Sequence, residues 1–268
     1  MDSFPKRLSE ASELLSSSKW LVAFTGAGIS TESGLADFRS PGGVWDRYRV
    51  VTFQEFLRDH EARVDYWKMK REFYNEFRNA NPNRAHLALA ELERMGKLKA
   101  IITQNIDGLH QAAGSAAGIV IELHGTNRKA HCLDCGIEWP FEEIQVRLEA
   151  GDLDPKCKLC DGLIKPSTIS FGQAMPQAEL TRAYECASKC DLLLMIGSSL
   201  QVAPASSIPP LAHESGAKLI FINRTKTPWD QIAAVTFQES AGEVMHTLLD
   251  RFRGESTSAD PARNRVWS

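Results

Sequence analysis

Four cysteines near the middle of the chain have the spacing of metal ligands. Cys132 and Cys135 form one Cys-x2-Cys pair, Cys157 and Cys160 form a second, and 21 residues separate the two pairs. This separation is slightly longer than the roughly 15 to 20 residues of a common zinc pattern. Four thiolates fill the tetrahedral shell of Zn²⁺ and leave no position for a reactant, so the spacing predicts one structural zinc ion. Reduced core cysteines are the alternative, and a redox pair is disfavoured because neither pair opens a helix after a strand.

A glycine-rich turn follows the first apolar run of the chain. It reads Thr-Gly-Ala-Gly-Ile-Ser-Thr over residues 25–31. Gly26 and Gly28 would let backbone N–H groups approach a phosphate at a helix N-terminus, where negative charge is favoured. The dinucleotide fingerprint needs a third glycine where Thr31 stands, so an enzyme of hydride transfer fits only in part. A plain strand-to-helix turn explains the segment about as well as a phosphate site does.

Further polar residues follow the other apolar runs of the chain. An open α/β sheet binds its ligand at the carboxyl ends of its parallel strands. Five polar clusters in such positions therefore predict one shared ligand site. The clusters are residues 37–39, 103–110, 122–125, 197–200 and 222–223.

Five short apolar runs are the elements that must position these residues. Most of them show no alternation of polar and apolar side chains, which is typical of parallel strands covered on both faces. Helical patterns occupy residues 52–79 and 84–95, the second with Asn83 as its N-cap and Gly96 as its stop. Strands that alternate with helices predict an α/β fold with a doubly wound, Rossmann-like parallel sheet. The predicted strands are residues 20–24, 100–103, 119–123, 192–196 and 219–222.

One segment interrupts the alternation of strands and helices. Residues 131–165 hold the four paired cysteines, several glycines and prolines, and little helical or strand periodicity, so we expect a small inserted zinc-ribbon module. The predicted organisation is a discontinuous Rossmann-like domain of residues 1–126 and 166–253. It carries a helical insertion at about 40–80, the zinc-binding module at 127–165 and a polar tail at 254–268.

The composition argues against several classes of protein. The chain of 268 residues has 31 basic and 34 acidic residues, mixed along its length, so we predict no nucleic-acid-binding or membrane-binding surface. Its beginning lacks the apolar core of a signal peptide, and no run of about 18 apolar residues follows. We therefore expect a soluble, cytoplasmic protein whose reduced thiols suit metal binding better than disulfides. For Cys186 and Cys190 we expect ordinary burial.

The motifs, taken in order, resemble those of the sirtuin family. They are GAGIS, DFR, TQNIDGLH, ELHG, the two Cys-x2-Cys pairs, GSSL and IN, and the likeness covers roughly residues 18–250. It is nearest to bacterial and archaeal-type sirtuins. The resemblance implies an NAD-dependent protein lysine deacylase, most simply a deacetylase, which transfers the acyl group to ADP-ribose and releases nicotinamide. NAD would be a consumed co-substrate, the partner would be an acyl-lysine protein or peptide, and one zinc ion would be structural.

The same resemblance implies roles for individual residues. His124 matches the family's catalytic base, and a histidine suits this role because its pKa lies near working pH. Asn105 and Asp107 match catalytic positions of the nicotinamide pocket. His86, His110 and His131 are expected to be structural instead. The implied NAD contacts are Gly26, Ala27, Gly28, Ser30, Thr31, Asp37, Phe38, Arg39, Gln104, Asn105, Ile106, Asp107, His124, Gly197, Ser198, Ser199, Asn223 and, in a loose alignment, Ala241.

A second set of residues is implied for the acyl-lysine substrate. Ile169, Ser170, Phe171 and Gly172 resemble the segment that pairs with the peptide as an added strand, although Gln173 stands where the family usually has glutamate. Sirtuins that remove succinyl or malonyl groups resemble one another in a Tyr-x-x-Arg pair. Here Met69 occupies the arginine position after Tyr66. This predicts an apolar acyl group, either acetyl or a longer chain.

Other functions stay open at this point. A mono-ADP-ribosyltransferase would use the same NAD site and the same loss of nicotinamide. A zinc-ribbon adaptor or nucleic-acid-binding protein is disfavoured by the absence of a basic stripe, and a nicotinamide oxidoreductase by the missing third glycine.

Overall fold

Two β-sheets form the framework of the protein in a computed structural model, which describes residues 3–38 and 42–258. Within these ranges the larger sheet has six parallel strands and the smaller has three antiparallel strands. The strands are β1 (Leu21–Thr25), β2 (Leu98–Thr103), β3 (Val120–Glu122), β4 (Gly125–Cys132), β5 (Glu138–Pro140), β6 (Ile164–Thr168), β7 (Leu192–Ile196), β8 (Lys218–Ile222) and β9 (Val235–Phe237).

The large sheet has the order β3-β2-β1-β7-β8-β9, which confirms the predicted Rossmann-like fold. Strands β2 and β3 lie on one side of β1, and β7, β8 and β9 lie on the other, so the strand order reverses between β1 and β7. This point is where such sheets bind ligands. The five predicted strands are present with ends shifted by at most two residues, whereas β9, a three-residue edge strand, was not predicted.

Helices cover the large sheet on both faces. The helices in the described ranges are α1 (Phe4–Ser17), α2 (Val44–Arg47), α3 (Phe53–Arg58), α4 (His60–Asn79), α5 (Arg84–Arg94), α6 (Leu109–Ala112), α7 (Phe141–Glu149), α8 (Gln177–Lys189), α9 (Ile208–Glu214) and α10 (Ala241–Ser258), with 3₁₀ turns at Ala27–Ser33, Ala205–Ser207 and Asp230–Ile232.

The central strand β1 explains why the apolar runs lack alternation. Leu21 and Ala23 pack in a core shared with α1, α5 and α10, while Val22 and Phe24 pack in a second core with α8 and α9. All five residues of β1 are buried. Because both faces are covered, both sets of side chains must be apolar.

The helix predicted at residues 84–95 is present as α5. The Asn83 side chain accepts hydrogen bonds from the backbone N–H groups of Ala85, at 2.9 Å, and His86, at 3.4 Å, which confirms the predicted N-cap. Gly96 follows the helix with a φ of +74°. This left-handed conformation suits glycine and ends the helix.

The helix predicted at residues 52–79 is wrong in one respect, because it is divided into α3 and α4. Asp59 ends α3, and its side chain accepts a hydrogen bond at 2.9 Å from the backbone N–H of Glu61 in the first turn of α4. A capping aspartate satisfies this N–H locally and so favours a new helix start over continuation.

The small sheet has the order β5-β4-β6 and carries α7 against it. The expectation of little periodic structure in residues 131–165 is therefore wrong. Phe141, Ile144 and Leu148 of α7 are buried at helical spacing in the same core cluster as Trp67 of α4, so the helical insertion and the small sheet share one core. The predicted domain boundaries stay a prediction.

The end of the described chain is more regular than predicted. Helix α10 continues to Ser258, five residues into the predicted polar tail, and residues 259–268 lie outside the described ranges. In the part of the chain that is described, no helix combines the length and the apolar character needed to span a bilayer.

Candidate active site

A cavity of about 860 Å³ lies at the carboxyl ends of the central strands. The residues that follow β1, β2, β3, β7 and β8 all contribute to its wall, as the sequence predicts. Residues of α4 and of the segment after β6 complete the wall. The predicted site residues that line it are Gly26, Ala27, Gly28, Ser30, Asp37, Phe38, Gln104, Asn105, Ile106, Asp107, His124, Ile169, Ser170, Phe171, Gly172, Gly197, Ser198, Ser199 and Asn223.

Three predicted NAD contacts are not among these lining residues. The Thr31 hydroxyl donates a hydrogen bond at 3.0 Å to the Gly28 carbonyl within its own 3₁₀ turn. Ala241 begins α10 and is buried in the core on one face of the sheet. Arg39 lies outside the described residues.

His124 directly follows β3 and is held at the cavity wall by its neighbours. Leu123 is fully buried and its N–H donates to the Thr103 carbonyl at 2.9 Å, while the His124 carbonyl accepts from the Ile169 N–H at 2.9 Å. The imidazole Nδ1 lies 2.9 Å from the Gln104 carbonyl oxygen. Because a carbonyl can only accept, Nδ1 carries the proton, and in the neutral ring Nε2 is the basic nitrogen.

Asn105 and Asp107 are joined to the turn after β1 through Ser30. The Asn105 side-chain amide donates to the Ser30 hydroxyl at 3.1 Å and to the Gly26 carbonyl at 3.2 Å. The Ser30 hydroxyl donates at 2.7 Å to Asp107, whose other oxygen accepts from the Leu109 N–H at 2.9 Å. The Asn105 amide hydrogens are thus occupied, so this side chain would meet a ligand through its Oδ1 acceptor.

The loops after β2 and β7 are linked across β1. The Gln104 amide nitrogen donates to the Ser198 hydroxyl at 2.8 Å, and the Gln104 N–H donates to the Thr25 carbonyl at 3.0 Å. These bonds hold the two loops at the point where the strand order reverses.

Gly26 and Gly28 lie against the backbone that follows β7. Their N–H groups donate to the carbonyls of Ile196, at 3.0 Å, and Gly197, at 2.8 Å, so both N–H groups have partners within the protein, and the phosphate contact of this turn stays a prediction. A Cβ on Gly28 would lie 2.7 Å from the Gly197 Cα and 2.9 Å from its carbonyl oxygen. The two glycines therefore allow the backbone after β1 to touch the backbone after β7.

We expect Gly28→Ala to lower the free energy of unfolding by about 1–3 kcal/mol, because the atoms that the methyl group meets are backbone and cannot rotate away. Urea unfolding measures this change. Gly118→Ala is the matched control, since a Cβ there meets nothing within 4 Å, and it should stay within about 0.5 kcal/mol of the wild type. Equal stability of the two variants would contradict this explanation.

Aromatic side chains line one side of the cavity. The rings of Phe38 and Trp45 lie 5.3 Å apart, and those of Trp45 and Phe171 lie 5.8 Å apart, measured between centroids. These three rings therefore connect the polar cluster at residues 37–39 to the predicted peptide segment at residues 169–172. In a water-poor cleft such rings can shield a reactive carbon.

The predicted peptide segment has several of its backbone groups occupied. The Ile169 N–H donates to the His124 carbonyl, the Ser170 N–H donates to the Gln173 side-chain oxygen at 3.1 Å, and the Phe171 carbonyl accepts from the Phe53 N–H at 2.9 Å. A peptide strand would therefore pair through the remaining groups of this segment. The Gln173 side chain shapes the segment by accepting this bond.

Lys70 is a cavity-lining residue that the sequence analysis missed. Its ammonium group donates to the Asn127 side-chain oxygen at 3.0 Å and to the Thr168 hydroxyl at 3.4 Å, and burial lowers its pKa to about 7. Tyr66 and Met69, on the same helix, also line the cavity. The sequence could have indicated this position, because Lys70 lies four residues after Tyr66 and so on the same face of the helix.

The four paired cysteines form a cluster that fits a tetrahedral metal ion. Their sulfur atoms all lie within 4.8 Å of one another, with 3.5 Å between Cys132 and Cys160 and 3.7 Å between Cys135 and Cys157. Four sulfurs at the Zn–S length of about 2.3 Å would be about 3.8 Å apart. Backbone N–H groups of Cys135 and Leu159 donate to the sulfurs of Cys132 and Cys157, which suits thiolates.

The other two cysteines, and the three histidines expected to be structural, are not among the residues that line the cavity. Cys190 is buried and Cys186 is half-buried, both outside the sulfur cluster. The rings of His86 and His110 are buried against each other with centroids 5.0 Å apart, and burial lowers their pKa values to about 4 and about 3. His131 contacts the Ser167 hydroxyl at 3.0 Å. None of these three histidines is among the lining residues of the cavity.

Comparison with known protein families gives a match that covers most of the chain. A model described as Sir2 family matches residues 26–204. A curated NAD-dependent protein deacetylase of Thermodesulfovibrio yellowstonii is 54% identical over 253 residues, which are 94% of this chain and 98% of that protein. An NAD-dependent protein deacetylase 1 of Bradyrhizobium diazoefficiens is 46% identical over 233 residues, which are 87% of this chain and 91% of that protein.

Solved structures are similar over most of the chain as well. A complex described as Sir2-p53 peptide-NAD+ has a TM-score of 0.83 at 36% identity and covers 94% of this chain and 99% of its own. A structure described as Sir2Tm bound to a propionylated peptide has a TM-score of 0.82 at 36% identity and covers 92% of this chain and 98% of its own.

Proposed function

The chain belongs to the Sir2 family and is an NAD-dependent protein deacylase, in which we propose that His124 is the catalytic base. The reaction joins the acyl-lysine carbonyl oxygen to the ribose carbon that loses nicotinamide. His124 Nε2 then accepts the proton of a ribose hydroxyl, whose oxygen attacks the former carbonyl carbon. Water then adds to that carbon as the lysine amine leaves, and the acyl group stays on ADP-ribose as an ester.

One observation carries this role: the 2.9 Å contact between His124 Nδ1 and the Gln104 carbonyl. It supports an imidazole with its proton on Nδ1, in which Nε2 is the basic nitrogen for the ribose hydroxyl. A carbonyl partner also stabilises the imidazolium that forms after proton transfer, because it accepts from the same N–H in both states.

Asn105 and Asp107 would hold the nicotinamide group. Asn105 offers its Oδ1 to the carboxamide N–H₂, since its own amide hydrogens are donated to Ser30 and Gly26. Asp107 has four acceptor positions, of which Ser30 and Leu109 occupy two. Both residues orient the leaving group and exclude water from the ribose carbon.

The remaining contacts divide between the two substrates. Ile169 to Gly172 would bind the peptide as an added strand, and acetyl-lysine is the substrate that we propose first. The Arg39 guanidinium would meet a phosphate of NAD, and the Phe38 ring would shield the reacting carbon from renewed attack. Further NAD contacts in this proposal are Gly26, Ala27, Gly28, Ser30, Asp37, Gln104, Ile106, Gly197, Ser198, Ser199 and Asn223.

The cellular setting belongs to the same proposal. Four thiolate zinc ligands require reducing conditions, which supports a cytoplasmic location. The mixed surface charge supports protein or peptide substrates and argues against a direct contact with nucleic acid or membrane.

Mass spectrometry of the products tests the function. With NAD and an acetyl-lysine peptide, we expect deacetylated peptide, nicotinamide and acetyl-ADP-ribose in equal amounts. A mono-ADP-ribosyltransferase would instead place ADP-ribose on protein or peptide. Labelled protein without acetyl-ADP-ribose would therefore reject deacylation in favour of group transfer.

A further inference from the structure

Asn83 contacts the 3₁₀ turn Ala27–Ser33 as well as its own helix. Its side-chain amide nitrogen donates to the Ile29 carbonyl at 2.7 Å and to the Ser33 hydroxyl at 3.0 Å. Its side-chain oxygen accepts from the first N–H groups of α5, as described for the N-cap. One half-buried side chain therefore joins α5 to a carbonyl 54 residues earlier in the chain.

The two contacts of Asn83 need different chemical groups. A side-chain amide has two N–H hydrogens and an oxygen with two lone pairs. Here the hydrogens are donated to the turn and the oxygen accepts from the helix, so both ends of the amide are in use. Capping needs only an acceptor, which Asp and Ser supply about as well as Asn does. The contact with the Ile29 carbonyl needs a donor.

The turn that Asn83 contacts carries Ser30, a residue of the cavity wall. Ser30 is 2% exposed, and its hydroxyl donates to Asp107 and accepts from Asn105. The Ile29 carbonyl belongs to the same planar peptide unit as the Ser30 nitrogen and Cα, so a contact that fixes this carbonyl also fixes the start of Ser30.

Other contacts hold the two ends of this turn. Gly28 lies against the backbone that follows β7. The Glu32 carboxylate accepts from the Gly242 N–H at 3.0 Å at the start of α10. Asn83 holds the middle of the turn at Ile29, next to the residue that reaches the cavity.

We propose that Asn83 is a positioning residue of the reaction, which holds Ser30, and through it Asn105 and Asp107, in the arrangement that binds NAD. The inference rests on the proposed deacylase function. Asn83 is not among the residues that line the cavity, so it acts through the turn and not by contact with a substrate. Loss of its donor should therefore weaken the binding of NAD and leave that of the peptide unchanged.

Asn83→Asp tests the donor separately from the cap. A carboxylate accepts from the N–H groups of α5 but has no hydrogen for the Ile29 carbonyl, so the cap stays while the turn is released. We expect the KM for NAD to rise at least about tenfold, as for loss of two hydrogen bonds, and the KM for the acetyl-lysine peptide to stay within about twofold. Asn81→Asp, the same change at an exposed asparagine, is the matched control and should leave both KM values unchanged.

Asn83→Ser separates the lost donor from the added charge. Serine is neutral and caps helices about as well as asparagine, but its shorter side chain cannot cap α5 and also reach the Ile29 carbonyl. The KM for NAD should therefore rise at least about threefold, as for loss of one hydrogen bond or more. In both variants the backbone amides of α5 should keep their protection from hydrogen exchange, because the cap is kept.

Four results would overturn the proposal. The first is an unchanged KM for NAD in Asn83→Asp, and the second is an equal rise of the KM values for NAD and peptide. The third is a raised KM for NAD in Asn83→Asp but not in Asn83→Ser, which would assign the effect to the added charge. The fourth is loss of protection in α5, which would leave Asn83 as a helix cap alone. A wild type that forms no acetyl-ADP-ribose would instead reject the proposed function itself.

Discussion

We expect His124→Ala to lower the rate of peptide deacetylation at least about a hundredfold, the lower end for loss of a general base. The substitution removes the nitrogen that would accept the ribose proton, and the Gln104 carbonyl that orients the ring cannot replace it. Formation of acetyl-ADP-ribose, measured by mass spectrometry at saturating NAD and peptide, reports this rate.

A second readout distinguishes a base from a residue that only shapes the cavity. In the proposed sequence the base acts after nicotinamide has left, so exchange of labelled nicotinamide into NAD should fall much less than deacetylation. His246→Ala, at an exposed histidine of α10, is the control and should keep both rates. An equal loss of exchange and deacetylation in His124→Ala would contradict the assignment of a base.

The second large effect is expected from Cys157→Ala, which removes one of the four clustered thiolates. Apparent binding free energies of structural zinc are about 10–16 kcal/mol, as large as the stability of a whole domain at about 5–15 kcal/mol. The small sheet should therefore lose its fold, and with it the core that α4 shares with α7. Metal content should fall from one zinc per chain to none.

Hydrogen exchange locates the damage. We expect backbone amides of β4 and β6 to lose protection in Cys157→Ala while those of β1 and β7 in the large sheet keep it. Cys186→Ala changes a half-buried thiol outside the cluster and should keep both zinc and protection. A wild-type protein that purifies without zinc, or protected β4 amides in Cys157→Ala, would contradict a structural metal site.

The framework was predictable because its strands are buried on both faces. A short continuous apolar run such as Leu192–Ile196 has few alternative structures to a buried strand in a chain of this composition. The failures have local causes. Asp59 interrupts a helical pattern through one side-chain hydrogen bond, and β9 has only three residues at a sheet edge. In the zinc module, only the spacing of Phe141, Ile144 and Leu148 marks the helix within a cysteine-rich segment.

The site was predictable where it depends on topology and less so where it depends on packing. His124, Asn105 and Gly197 follow parallel strands, so their convergence follows from the fold. Lys70 reaches the cavity because α4 packs over it, and no strand end marks that position. The close contact of Gly28 is with the backbone of Gly197, which is far away in sequence.

The crystal structure of the protein with an unreactive NAD analogue and an acetyl-lysine peptide is the most direct test of the central claim. We expect His124 Nε2 within about 3.2 Å of a ribose hydroxyl, as a general base requires. The nicotinamide carboxamide should contact Asn105, with the acetyl oxygen facing the same ribose. A ribose with no hydroxyl within reach of His124, directly or through one water, would contradict the proposed chemistry.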